Sequence, residues 1–516
     1  MNTTITPTLP SAMGLVIFGA SGDLTMRKLI PSLYSLFQAK RVPKSFFVLG
    51  VARTEYSDEA FRTYLKEKLQ EHLKDEEKDT ETVSLFLSHI HYHTMDPAEE
   101  KDYNGLKSKL RELDEVYNNP ANYIFYLSTP PSLYGVIPKH LSAVNLNAKG
   151  NGAGIEENIR RIIIEKPFGY DLESAHELNL IYEEAFTENQ LYRIDHYLGK
   201  ETVQNIMALR FSNGIFEPLW NRRYIDRIEV TAVENLGIEK RGGFYDNVGA
   251  LRDMVQNHLI QLLALVTMEP PAVFNAKTFR DEVLKVYQSL RPLSPQDIRT
   301  NVIRGQYTAS KANNERQLKG YREEEKVNPQ SRTETYVAIK VAIDNWRWGG
   351  VPFYIRTGKQ MPTKVTEIVV HFRKTPHSLF GDAPANALII RIQPNEGVAL
   401  KFDMKTPGSG FDVQQVSMDF TYNKLGGVPS GDAYSRLLED CMRGDATLFT
   451  RSDAVEASWT YFTPILKAWE QDEKIPLHGY PVGTWGPKMA DQIINDGYSW
   501  TNPCKNLTDT DLYCEL

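Results

Sequence analysis

The 516-residue chain predicts two domains of different class: an N-terminal Rossmann-like doubly wound α/β domain over residues 1–192, and a larger α+β domain over 193–516 built on a mostly antiparallel sheet covered by helices. Three observations carry that expectation. Up to about residue 192, short β-branched runs alternate with longer stretches of helical period, the pattern of a parallel sheet wrapped by helices. Beyond about residue 226 the apolar and polar residues alternate in segments joined by short connections, which antiparallel neighbours allow and parallel ones do not. The length, at roughly 100 to 200 residues per domain, accommodates two large domains or three small ones.

In chain order, the first half offers strands at 15–18, 46–51, 89–94, 122–127, 161–164 and 191–194, with amphipathic stretches such as 57–73 and 172–186 between them. The charge run KDEEKDTE (74–81) and the small-residue run AKGNGAG (148–154) read as loops. In the second half RIEVTAVEN, YVAIKVAIDNW, TEIVVHFRK, NALIIRIQP, GVALKFDMK and VQQVSMDFTY read as strands. Helical stretches at 253–268 and 454–470, with the shorter 433–443, could cover one face of their sheet.

Composition removes several function classes. With 41% hydrophobic and 24% charged residues, 33 Gly and 28 Pro, the chain is neither collagen-like, disordered nor membrane-spanning. Its 59 Lys and Arg against 66 Asp and Glu leave a net charge of -7, and the basic residues are scattered, so nucleic acid is not an expected partner. Cys441, Cys504 and Cys514 form no CxxC pair, which predicts free thiols in a reducing compartment. The opening MNTTITPTLPSAMG lacks a basic n-region and an apolar h-region, and the longest apolar stretch, 259–268, is far short of the ~20 residues of a membrane helix. A cytoplasmic protein without a membrane partner is the expectation.

The segment GLVIFGASGDLTMRKLIP runs a buried strand into Gly19, Ala20, Ser21, Gly22 and Asp23, with a helix from about Leu24. Such a turn offers backbone N–H groups and a helix dipole to a pyrophosphate. A full G-x-G-x-x-G would need glycine where Ser21 and Leu24 stand, so a plain strand-to-helix turn competes with the dinucleotide reading. Its place after the first strand of a βαβ series favours the nucleotide. The second strand then reaches Arg53, where an NAD site usually carries an acid for the ribose 2′-hydroxyl; a guanidinium suits the 2′-phosphate of NADP, though Glu55 lies close by.

Other polar clusters stand at strand ends. His89, His91 and His93 alternate along one strand; a solvated or edge strand suits them better than zinc, because consecutive members lie ~7 Å apart, and no metal is expected. Lys166 follows a buried strand in RIIIEKPFGYDLESA, either as a ligand at a carboxyl end or as a surface lysine before a turn proline. In LYRIDHYLGKETVQNIM, His196, Tyr197 and Lys200 are donors of the types that bind phosphate; His196 and Lys200 would share a face if the backbone were helical, and a capped helix start is the alternative. His258 in GALRDMVQNHLIQLLALVTM falls on or near the apolar side of a helix, as a satisfied core histidine or as a base whose tautomer a carboxylate fixes, with Asp195 the candidate.

Taken together, GASGDL, EKPFG, RIDHYLGK, RDMVQNHL and WGGVPFYIRTGK resemble the motif set of the glucose-6-phosphate dehydrogenase family, from about Gly14 to Pro487. The resemblance implies oxidation of β-D-glucose 6-phosphate at carbon 1 with hydride transfer to NADP, the first step of the oxidative pentose phosphate pathway. By it His258 is the general base and Asp195 its orienting carboxylate; His196, Tyr197, Lys200 and Lys364 hold the phosphate; Glu234, Asp253, Lys359 and Gln393 contact the sugar; and Lys166 touches both substrate and cofactor. It also implies cofactor contacts at residues 19–24, Lys28, Arg53, Tyr134 and Asp96, a cis bond before Pro167, and a homodimer or homotetramer built through the second domain's sheet. Arg356 and Arg391 match a second, structural NADP site of some family members, but Ala399 and Trp485 stand where a Tyr and an Arg would be, so that site is not expected. Rival readings are a sugar oxidoreductase of the glucose-fructose type and a non-catalytic NADP-binding sensor.

Overall fold

Uninterrupted apolar runs such as AMGLVIF can be buried on both faces only inside a covered sheet, and in the computed structural model they form its centre. The structure describes residues 8–73, 80–147, 158–311, 317–381, 383–422, 432–494 and 497–503. Those within 1–200, 271–281 and 429–456 form one compact unit, and those within 201–270, 282–428 and 457–516 a second. Segments 271–281 and 429–456 return to the first unit.

In the first unit β1 (Ala12–Phe18), β2 (Ser45–Ala52), β3 (Ile90–Thr94), β4 (Tyr123–Leu127), β5 (Arg160–Ile164) and β6 (Leu191–Ile194) pair in parallel in the order 6-5-4-1-2-3. The order reverses beside β1, the switch point where doubly wound sheets bind ligands. Phe449–Thr450 extends the sheet antiparallel to β6. Connecting helices include α1 (Ile30–Gln38), α2 (Asp58–His72), capped by the Ser57 side chain on the amide of Ala60 at 3.2 Å, and α3 (Leu172–Ala185), which opens on a reciprocal Asp171/Ser174 cap. β3 is the edge strand its histidines suggested: His91 Nδ1 meets Asp58 at 3.0 Å and Nε2 meets the Tyr117 hydroxyl at 3.0 Å.

Helix α4 (Ala433–Arg443) corrects one expectation. It belongs to the first unit instead of covering the second sheet. The reason lies in its anchors: Glu439 pairs with Arg41, Ser435 Oγ reaches the Ser32 carbonyl at 3.4 Å, and Arg161 donates to the carbonyls of Cys441 and Met442 at 2.6 and 2.9 Å. Of the two expected loops, 148–154 and residues 74–79 lie outside the described residues, while Thr80–Ser88 is helical. Cys441 is buried and free; Cys504 and Cys514 lie outside the described residues.

Among the described residues, nine strands make the second unit's main sheet: β7 (Ile225–Val233), β8 (Val302–Thr308), β9 (Tyr336–Ala342), β10 (Pro352–Gly358), β11 (Val365–Phe372), β12 (Ala387–Gln393), β13 (Gly397–Lys405), β14 (Val413–Thr421) and β15 (His478–Pro481). Their order is 14-13-12-11-7-10-9-8-15, with β7–β10 and β8–β15 parallel and the other pairs antiparallel, as expected for the sheet as a whole. A tyrosine-rich core, including Tyr245, Tyr307, Tyr321, Tyr336 and Tyr480, packs on it. The helical run from Gly242 to Thr267 is not uniform: its middle, Leu251–Leu259, has π-helical pitch, with the Ile260 amide reaching back to the carbonyl of Val255. Among the described residues no helix is long and apolar enough to cross a membrane.

Candidate active site

In the first unit the candidates leave the carboxyl ends of parallel strands. Gly19 follows β1 with φ +82°, and a Cβ there would stand 2.1 Å from the Ser128 carbonyl oxygen, so this turn accepts only glycine. Its amide donates to Val51 at 2.8 Å and its carbonyl accepts from Gly22 at 2.9 Å, closing residues 19–22 beside the end of β2. Ala20, Ser21, Asp23 and Leu24 carry the chain into a helix whose first turns include Lys28. Ser21 Oγ stands 3.4 Å from Thr54 Oγ1, which brings the turn alongside exposed Arg53. The tight glycine turn and helix start fit the pyrophosphate of a nicotinamide dinucleotide. Lys28 pairs with Asp432 at 3.3 Å, and the Asp96 carboxylate accepts the Ala98 amide of its own turn at 3.0 Å.

The turn after β5 is built around a residue that sequence reasoning passed over. Glu165 is buried and accepts hydrogen bonds from the hydroxyls of Tyr126, on β4, at 2.5 Å, and of Tyr434, on α4. Burial pushes its carboxyl up to about 7 against those two donors and the nearby charge of Lys166, with Asp195 adding to the rise. Lys166 follows directly, the Lys166–Pro167 bond is cis as expected, and the Tyr134 hydroxyl reaches the Lys166 carbonyl at 3.4 Å. A buried acid flanked by tyrosines 39 and 269 positions away leaves no periodic signal in the sequence.

Beyond β6 the structure corrects the local backbone. Residues 196–200 form successive turns, and the helix begins only at Glu201, so His196 and Lys200 do not share a helical face. The Asp195 carboxylate accepts the Tyr197 amide at 2.9 Å, its carbonyl accepts the Leu198 amide at 3.0 Å, and Lys200 Nζ leans over the Tyr197 ring at 4.2 Å. His196 stacks edge-on to Tyr197 at 5.1 Å. Asp195, His196, Tyr197 and Lys200 are therefore held together by their own turn.

In the second unit the parallel pair β7–β10 does the positioning. Val233 is registered with Gly358, so Glu234 and Lys359 emerge side by side and form an ion pair, with the Glu234 amide donating to Gly358 at 3.0 Å. Lys359 Nζ lies 5.5 Å from the centre of the Tyr245 ring, and the same buried Tyr245 feels the charge of Asp253. Lys359, with its partner Glu234, thus lies beside Tyr245, a residue the sequence reading did not single out. His258 is 1% exposed within the π-helical segment. Gln393, before a cis proline at the end of β12, donates to Thr366 at 3.2 Å, and Lys364 is exposed between β10 and β11. Buried Arg356 has Trp485 and Trp500 at 5.0 and 4.6 Å, and Arg391 pairs with Glu367 at 3.0 Å.

Two protein-family models match the chain: glucose-6-phosphate dehydrogenase NAD binding domain over residues 16–205, and glucose-6-phosphate dehydrogenase C-terminal domain over 207–501. It is 52% identical over 491 residues to a glucose-6-phosphate 1-dehydrogenase of Aggregatibacter actinomycetemcomitans, covering 95% of this chain and 97% of that one. It is 49% identical over 509 residues to that of Treponema pallidum (strain Nichols), covering 97% of each. A solved glucose-6-phosphate dehydrogenase in complex with its substrate glucose-6-phosphate superposes with a TM-score of 0.86 at 35% identity, over 96% of this chain and 99% of that one.

Proposed function

The chain belongs to the glucose-6-phosphate dehydrogenase family, and from that premise we propose that it oxidises β-D-glucose 6-phosphate at carbon 1 to 6-phosphoglucono-δ-lactone with hydride transfer to NADP, opening the oxidative pentose phosphate pathway. The observation that carries the reading is the Asp195, His196, Tyr197 and Lys200 turn at the carboxyl end of β6, adjoining a sheet whose switch point bears the Gly19 turn.

When bound, NADP supplies the hydride acceptor. The backbone of residues 19–24 and Lys28 hold its phosphates, Arg53 takes the 2′-phosphate, and Asp96, Tyr134 and Lys166 complete the cofactor contacts. His196, Tyr197, Lys200 and Lys364 bind the sugar phosphate, while Glu234, Asp253, Lys359 and Gln393 read the hydroxyls. His258 accepts the carbon 1 hydroxyl proton, and Asp195 orients the imidazole and stabilises the imidazolium; hydride leaves carbon 1 easily only as that oxygen gives up its proton. A second, structural nucleotide is not part of this reading, since Ala399 and Trp485 stand where a Tyr and an Arg would be.

A cytoplasmic location fits a chain with three cysteines and no CxxC pair. Assembly into a homodimer or homotetramer through the second unit's sheet is supported by edge strand β14, whose Met418 and Phe420 are exposed, with Met404 on its neighbour. Sedimentation of wild type against Met418→Lys checks the assembly. The reaction itself is tested by following reduction of the nicotinamide, NADPH from NADP and NADH from NAD, with glucose 6-phosphate and with free glucose. Turnover of glucose 6-phosphate far above that of free glucose is expected; equal use of free glucose would point to a sugar oxidoreductase without a phosphate site, and no turnover to a sensor.

A further inference from the structure

The segment that carries Asp253 and His258 is fixed at its start by a residue far away in sequence. Helical backbone breaks at Gly249 (φ 74°, ψ 172°), and the π-helical turn Leu251–Leu259 follows. Amides at the start of a helix have no carbonyl within it to pair with. Here the Ala250 amide donates to the backbone carbonyl of Glu334 at 3.0 Å, and the Leu251 amide donates to Glu334 Oε1 at 2.9 Å. The fit is close: a Cβ on Gly249 would stand 2.4 Å from that carboxylate oxygen. Glu334 is only 5% exposed, and burying a carboxylate is costly unless its oxygens are used. Arg252 and Arg304 supply nearby positive charge, and burial nevertheless pushes the carboxyl above its ordinary range.

The next residue ties in the other side of the sugar-contact cluster. The Thr335 carbonyl accepts the Lys359 amide at 2.9 Å, while the Tyr480 hydroxyl donates to the Lys359 carbonyl at 2.8 Å and stands 2.9 Å from Thr335 Oγ1. Residues 334 and 335 therefore hold, at one point of the chain ahead of β9, both the turn bearing Asp253 and His258 and the strand end bearing Lys359.

We propose that Glu334 is a positioning residue for the reaction: by capping the π-helical turn where Lys359 is also anchored, its carboxylate sets the rotation that presents His258 to the reacting hydroxyl and Asp253 to the sugar. The proposal rests on the function given above. A cap that only stabilises the fold would lower the melting temperature and leave the folded enzyme's turnover unchanged. Displacing a catalytic group by about 1 Å can cost up to about a hundredfold in rate.

The experiment compares Glu334→Ala and Glu334→Gln in the full chain, measuring kcat, KM for both substrates, and the imidazole signals of His258 in histidine-labelled protein. Expected for Glu334→Ala is a kcat at least about tenfold lower with KM for NADP within about twofold, a shifted His258 signal, and faster hydrogen exchange at Leu251. Glu334→Gln keeps an acceptor at the Oε1 position and is expected to recover kcat to within about threefold, with His258 unmoved. A folded Glu334→Ala with unchanged kcat and unchanged His258 signals overturns the proposal. Should Glu334→Ala not fold, Glu334→Asp, which withdraws the carboxylate by one methylene, takes its place: turnover below that of Glu334→Gln supports positioning, and equal turnover overturns it. Wild type that does not oxidise glucose 6-phosphate counts against the function, and the His258 signals then decide the positioning claim by themselves.

Discussion

In the first unit the candidate residues leave the ends of β1, β2, β5 and β6, in a sheet whose six main strands all run parallel. In the second, Glu234 and Lys359 leave one parallel pair, β7 and β10, set at the centre of a mainly antiparallel sheet. Both obey the same geometry, since parallel neighbours deliver two carboxyl ends to the same edge. They differ in how the polar groups are held. Around the first unit's candidates, tyrosine hydroxyls donate to Glu165 and a backbone amide to Asp195. In the second unit Glu234 forms an ion pair with Lys359, whose backbone is also tethered. Burial, acting against its hydroxyl donors, pushes the Glu165 carboxyl up to about 7.

The largest expected effect breaks the chemistry and leaves both scaffolds standing. His258→Asn should lower kcat by ~10² or more with KM for glucose 6-phosphate within about threefold, as steady-state kinetics would reveal. If kcat stays within a few-fold, another residue is the base.

Glu165 sharpens the contrast through pH. Its carboxyl rises from 4.5 to about 7 in the fold, so the folded state holds that proton more tightly than the unfolded chain does. The stability this confers is complete below about pH 4.5 and disappears as pH rises through about 7. Relative to Glu165→Gln, which has nothing to titrate, wild type should lose on the order of 1 to 3 kcal/mol across that window in denaturant unfolding. A constant difference between the two would mean that Glu165 is ionised throughout.

Arg53→Ala should raise KM for NADP about tenfold while changing KM for NAD little, the scale of one charged hydrogen bond. An equal loss for both cofactors removes the 2′-phosphate argument. In the second unit, Lys359→Met should raise KM for glucose 6-phosphate several-fold, and adding Glu234→Gln should cost less than it does alone, since the two act as a pair. Additive effects in that cycle would mean that each contacts the sugar separately. Least affected should be Trp346→Ala, at a fully exposed ring outside both clusters, within about 0.5 kcal/mol of wild-type stability.

Much of this architecture is legible in the residues themselves. Strands such as FFVLGVA and YIFYL declare burial on both faces, and GVALKFDMK declares an alternating strand, because side-chain period follows directly from backbone geometry. The central strand β10 was visible only as the motif WGGVPFYIRTGK, since a strand between two neighbours in a covered sheet need not alternate. Helix α4 was recognised as a helix but not as part of the first unit, because its amphipathic face records burial and not the surface that buries it. The π-helical segment Leu251–Leu259 follows a break at Gly249 and is capped by a residue 83 positions away, and the tyrosine partners of Glu165 come from β4 and α4. Long-range satisfaction of buried polar groups carries no period, so Glu165, Tyr245 and Glu334 surfaced only in three dimensions.

The central claim, that this chain moves a hydride from carbon 1 of glucose 6-phosphate to NADP, is most directly tested with substrate deuterated at carbon 1 and mass analysis of the reduced cofactor. The account predicts NADPH carrying one deuterium and a slowed hydride step. Reduced cofactor without deuterium, or none formed by the folded protein, would contradict it.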